Sequence, residues 1–260
     1  MMPVIFRPMI LRSLIALIPA SLIAADEVIL RETPVRIITS SSLTIFPKSW
    51  HGEPVKASGE ILSEAHTARV RAILDRALRK YPPQILRADL KSVFVLGELR
   101  YCGVVTSGTN SRTSVYLRIG DEKAGYTDAH IEGVFHAEFS SILLRNHPEF
   151  LDKQTWQSLN PPGFKYLGNG VDAVKQGKAG QKMSNTLHAE GFLIEYSRST
   201  QENDFNGFSA RLFRGDASVW AIAENHSKIR RKLKLTIGFY QKLDATMDEA
   251  FFKGLVKQDP

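Results

Sequence analysis

Between Gly133 and Leu144 the chain reads GVFHAEFSSILL, a run with a single formal charge, Glu138. Phe135, Phe139 and Ile142 recur at helical spacing and make one apolar stripe that other elements must cover. Thr127 or Asp128 can cap the start of this helix, and Pro148 ends it. His136 falls at the margin of the stripe. Glu138, with Val134 one turn before it and Ser140 and Ser141 beside it, belongs next to a semi-polar cavity in which the serines can hydrogen-bond a carboxylate.

The covering elements are legible on both sides. Alternating runs around Val28 to Ile38 and Ser42 to Phe46 predict strands, and Pro47 to Gly59 predicts a loop. Val70, Ile73, Leu74, Ala77, Leu78 and Tyr81 then mark a helix, with Arg69, Arg76, Arg79 and Lys80 turned outward and Pro82 and Pro83 at its end. Two further strands, Ser92 to Leu99 and Thr113 to Ile119, flank a loop from Gly103 to Thr113. After a Pro/Gly-rich passage, Asn160 to Gly180, the pattern turns helical: Thr186 to Tyr196, Glu202 to Phe213, Ala217 to His226, Lys228 to Leu243 and a short tail. Strands early and helices late predict an α+β fold, and no repeat or linker divides residues 26 to 260, so one domain is expected.

Residues 1 to 25 stand apart. Arg7 and Arg12 precede an acid-free apolar run, Leu14 to Ala25, that ends in small residues and is shorter than the roughly 20 residues a membrane span needs. This predicts a cleaved signal peptide and export to the periplasm or the extracellular space, with no stable transmembrane span afterwards. Removing it takes away two arginines and no acid, so the net charge falls from +7 to +5. Much of that excess lies in KIRRKLKL, Lys228 to Leu235, where Ile229, Leu233, Ile237 and Tyr240 recur at helical spacing. The cations there predict a solvated helix face, and nucleic acid is not an expected partner of an exported chain. Cys102 is alone and cannot form an internal disulfide, so stability must come from packing.

In zinc peptidases of the HExxH type, two histidines one helical turn apart hold the metal and the adjacent glutamate activates its water. Glu138 occupies the glutamate slot, but Ala137 and Ser141 stand where the histidines would be. His136 is one residue out of register, about 100° around the helix. His147, nine residues after Glu138, matches a third-histidine position, but no first pair exists for it to complete. A zinc-deaminase reading of His-Ala-Glu fails because no cysteine follows Cys102, and the tripeptide recurs at His188 to Glu190. Ser140 and Ser141 lack the Gly-x-Ser-x-Gly surroundings of a serine nucleophile.

The order of elements nonetheless resembles a family. A helix ending in Tyr81-Pro82-Pro83, the strand SVFVLGEL, a glycine-bearing loop, the strand SVYLRIG and the FHAEFSSILL helix together resemble the N-terminal half of zincin metallopeptidases. GFLIEYSRSTQENDF, Gly191 to Phe205, resembles the segment that supplies the glutamate ligand in gluzincin-type secreted bacterial peptidases. The resemblance implies a small N-terminal sheet packed on the motif helix and a mostly helical C-terminal half. It also implies Glu138 as general base, Glu202 and His136 as metal-ligand candidates and Tyr196 as a donor to a developing oxyanion. A competing role for Glu202 is the capping box Ser199-x-x-Glu202. With both histidine slots of HExxH lost, the expectation is an exported zincin-like metallopeptidase homologue with a degenerate or inactive zinc site. The alternative is an exported binding protein that keeps the cleft for a peptide or envelope partner.

Overall fold

The computed structural model describes residues 26–29 and 34–256, and the expected signal peptide lies outside them. In chain order the strands and helices are β1 (Asp26–Ile29), β2 (Arg36–Thr39), β3 (Ser58–Ile61), α1 (Glu64–Leu78), α2 (Pro83–Asp89), β4 (Ser92–Tyr101), β5 (Val104–Val105), β6 (Gly108–Asn110) and β7 (Ser114–Arg118). Only helices follow: α3 (Asp128–Asn146), α4 (Lys153–Ser158), α5 (Gly170–Lys175), α6 (Asn185–Glu190), α7 (Gln201–Phe213), α8 (Ala217–Asn225), α9 (Ser227–Leu243) and α10 (Glu249–Val256). The α+β reading therefore holds.

The sheet runs in the order β1-β2-β4-β7-β6, with β3 and β5 on the outer half of β4. β2, β4 and β7 are parallel, while β1 and β6 are antiparallel to their neighbours. Val93, Val95, Val115 and Leu117 point from one face into the main core, under α1 and α3; Phe94, Leu96 and Tyr116 point from the other into a smaller aromatic cluster with Phe46 and Trp50. That alternation slips at Gly97, the residue of β4 left without a partner where β3 passes from Glu60 to Ile61. A Cβ there would lie 2.7 Å from the Ile61 carbonyl oxygen, so the bulge requires glycine. Leu99 is thereby returned to the same side as Leu96.

α1 buries the predicted stripe, and Pro83 opens α2 at its first position, where a missing N–H costs nothing. Several boundaries differ from expectation for local reasons. Ser42 to Phe46 is a 3-10 turn, not a strand: the Ser42 hydroxyl accepts from the Thr44 N–H, a local bond that competes with sheet pairing. The helix expected from Thr186 to Tyr196 stops at Glu190, closed by Gly191 at φ 98°. The Gly103 to Thr113 loop contains β5 and β6, and the Asn160 to Gly180 passage contains α5. In α9, Ile229, Leu233, Ile237 and Tyr240 are buried as predicted, but Lys232 is buried with them, correcting the wholly solvated face. The cations of α1 and of the turn after it are also less free than expected, since Arg69 reaches Asp128, and Arg76 and Lys80 both reach Glu132 on α3.

Candidate functional site

α3 runs beneath the edge strand β6 and against α7. Thr127 caps α3 by accepting the His130 N–H at 3.2 Å. One side of α3 follows the strand: His130 lies 3.3 Å from the Ser107 hydroxyl, and a Cβ on Gly108 would come within 2.5 Å of Val134 and 3.0 Å of the Glu138 side chain. A side chain at Gly108 would prise strand from helix, so glycine here sets how closely Glu138 is covered.

Glu138 is half-buried, and its Oε2 accepts from Asn110 Nδ2 at 2.6 Å. The Asn110 Oδ1 accepts in turn from Arg145 at 2.7 Å, and the same guanidinium stands 3.7 Å from Glu202 at the start of α7. Loss of water pushes the Glu138 carboxyl up to about 7, and the Glu202 charge adds to the rise; the Asn110 hydrogen bond and Arg145 oppose it. Tyr196 joins the same site. Burial pushes its hydroxyl up to about 12, with the charges of Glu138 and then Glu202 adding and Asn203 opposing, so it is a donor at neutral pH. Gly170 admits it closely, since a Cβ there would meet the Tyr196 hydroxyl at 2.4 Å.

Glu202 is not part of a Ser199 capping box. Thr200 is the N-cap of α7, accepting from the Asn203 N–H at 2.9 Å, while Ser199 donates to the Tyr196 carbonyl. The Glu202 side chain is free to face Arg145.

Glu138, Glu202 and Tyr196 are thus brought to one place. Contrary to the ligand expectation, His136 is not. It is fully buried on the opposite side of α3, its Nδ1 2.9 Å from the Tyr81 hydroxyl and its Nε2 3.4 Å from Glu132. A carboxylate can only accept, so Nε2 carries the proton and Nδ1 accepts from Tyr81. Burial lowers the ring to about 4 against the partial support of Glu132, leaving it neutral. The cause is the register already visible in sequence: the turn that puts Glu138 under β6 puts His136 against Phe213 and Tyr81.

The serines also differ from expectation. Ser140 donates to Asn206 Oδ1 at 2.8 Å, and Asn206 Nδ2 donates to Ser141 at 2.7 Å, so both bridge to α7 and neither meets Glu138. Ser141 is the residue in the second histidine slot, and its oxygen is already engaged. The donors that remain are two carboxylates beside a guanidinium, and among the described residues no group of three or more histidine, cysteine or acidic side chains could hold a metal. Catalytic zinc uses three protein ligands, so these residues do not fit it. Asn110, Arg145 and Asn203 were missed in the sequence. Arg145 could have been found, since it lies seven residues after Glu138 on the same helix face.

No family model and no curated protein matches the sequence. Among solved structures, the chain is similar to a candidate zinc-binding metallo-peptidase from Bacteroides caccae, with a TM-score of 0.45 and 13% identity over 73% of this chain and 76% of that one.

Proposed function

We propose that this chain is an exported, zincin-like metallopeptidase homologue that does not hydrolyse through zinc and instead uses the site under β6 to bind an extended peptide. The observation that carries the reading is the Ser140–Asn206–Ser141 bridge, which fills with neutral hydrogen bonds the α3–α7 junction where an HExxH enzyme spends its second histidine. Glu138 keeps the general-base position but is tied to Asn110. β6 pairs only with β7 among the described strands, which leaves its other edge for an added peptide strand. Arg145 is exposed beside it and can meet a carbonyl or carboxylate of the ligand.

Export rests on the pattern of residues 1 to 25. Among the described residues no helix is long and apolar enough to cross a membrane. N-terminal sequencing of the exported fraction tests it, with a start near Asp26 expected and intact Met1 in a membrane pellet counting against it.

The non-catalytic reading is tested by metal analysis after zinc reconstitution and dialysis, together with peptide hydrolysis by the natural protein and Glu138→Gln. Well under one zinc per chain, and background hydrolysis in both, is the expected result. Chelator-sensitive cleavage that disappears in Glu138→Gln would overturn it.

A further inference from the structure

Behind the α7 face that carries Glu202, a second cluster has no part in the site just described. Lys232 and Asp204 are wholly inaccessible to solvent, and Asn160 is 9% exposed. Lys232 Nζ lies 2.7 Å from Asn160 Oδ1 and 2.6 Å from Asp204 Oδ2. The Phe192 and Trp156 rings wall it in, their centres 4.4 and 5.2 Å from the nitrogen. Tyr166 completes a path: its hydroxyl donates to Asp204 Oδ2 at 2.9 Å and accepts from Asn160 Nδ2 at 3.2 Å. The amine therefore touches the carbonyl end of an amide, while the nitrogen end of that amide is wired through Tyr166 to the same carboxylate.

We propose that Lys232 and Asn160 become joined by an intramolecular amide bond that the chain forms itself, with Asp204 as base and Tyr166 as proton relay. Asp204 Oδ2 takes a proton from the Lys232 ammonium, and the freed Nζ lone pair makes the new bond to Asn160 Cγ. The tetrahedral carbon then breaks its bond to Nδ2. Asp204 passes its proton through Tyr166 to Nδ2 and takes the second proton from Nζ, so that ammonia leaves and carries the last proton away as ammonium. One amide replaces another, and no oxidant or added reactant is needed.

The surroundings favour the reactive state. Burial depresses the Lys232 amine and raises the Asp204 carboxyl, each against the pull of the other's charge. Trp156 Nε1 also donates to Asp204 Oδ2 at 2.9 Å, so this one oxygen gathers the indole, the Tyr166 hydroxyl and the Lys232 ammonium, while Oδ1 has no hydrogen-bond partner among the described residues. Water is excluded, the amine is held against the amide, and the Tyr166 hydroxyl, which donates to Asp204 and accepts from Nδ2 before the reaction, turns about its C–O bond to carry the proton the other way once Nδ2 has become an amine. The bond would tie the segment after α4 to α9, 72 residues on, and so close a loop that contains Tyr196 and Glu202.

Peptide mapping of the purified, denatured protein tests this without any variant. A branched peptide linking Asn160 to Lys232, lighter than its two parts by one ammonia, is expected. Linear Asn160 and Lys232 peptides alone overturn the proposal, as does a branch from Lys232 to Asp204 lighter by one water. Asn160→Asp should give the branch with loss of water in place of ammonia, and Asn160→Ala should abolish it. Tyr166→Phe, which keeps the ring, is expected to slow bond formation on refolding by about 10²-fold; an unchanged rate removes Tyr166 from the step.

Discussion

Glu138 and His136 are two residues apart on one helix and have opposite surroundings, and their titration separates them. The Glu138 carboxyl is raised to about 7, so the folded chain holds a proton there that the unfolded chain releases above about 4.5. Its contribution is fully present at low pH and is lost as pH rises through 7, by up to about 3 kcal/mol at 1.36 kcal/mol per pK unit. Glu138→Gln should therefore gain on the natural protein in thermal stability between pH 5 and pH 8, and parallel melting profiles would refute the buried-acid account. His136 behaves in the other sense. Its ring is depressed from 6.5 to about 4, so stability present above 6.5 is lost as pH falls toward 4. His136→Ala should cost about 2–4 kcal/mol in urea unfolding, because it opens a cavity beside Phe213 and leaves Tyr81 and Glu132 short of a partner. A residue poised as a surface metal ligand would cost far less.

At the level of elements, the fit of β6 on α3 decides how the site is built. Gly108→Ala puts a methyl within 2.5 Å of Val134 and 3.0 Å of Glu138, both on a rigid helix, so the strand must lift. The expected cost is about 1–3 kcal/mol, with the pH dependence assigned to Glu138 weakened as water reaches the carboxylate. An unperturbed profile in this variant would mean that β6 does not cover Glu138. α1 and α9 were legible in sequence because each presents one apolar stripe to the core, and α3 because an apolar run lies between the Thr127 cap and Pro148, although from Phe139 to Leu144 it is buried all round. β5 and β6 were not: two and three residues long, they owe their conformation to pairing with β4 and β7 and carry no pattern of their own.

For the whole molecule, Phe213 is the joint. Its ring lies 4.3 Å from Tyr81 after α1, 5.0 Å from His136 on α3, 4.9 Å from Tyr240 on α9 and 5.1 Å from Phe252 on α10. One buried cluster also runs from Val35 beside the sheet to Leu255 in the last helix. A single cooperative transition, coincident by near- and far-ultraviolet circular dichroism, is expected, and Phe213→Ala should move all of it by about 3–5 kcal/mol. Separate melting of the helical half would contradict a one-domain chain.

The sequence by itself determined the α+β order, the Phe135–Phe139–Ile142 stripe of α3, the helix end set by Pro82 and Pro83, and the absence of histidine from both HExxH slots. These follow from periodicity, backbone restriction and residue chemistry, all of which act over a few neighbouring positions. Only the tertiary structure decided what those slots now touch. The same helix register sends Glu138 to Asn110 and Arg145 and His136 to Tyr81 and Glu132. Likewise Lys232, one cation among five in KIRRKLKL, is the one that faces Asp204 and Asn160 inside the protein. Burial of a charge depends on partners 28 and 72 residues away, and no local pattern records that distance.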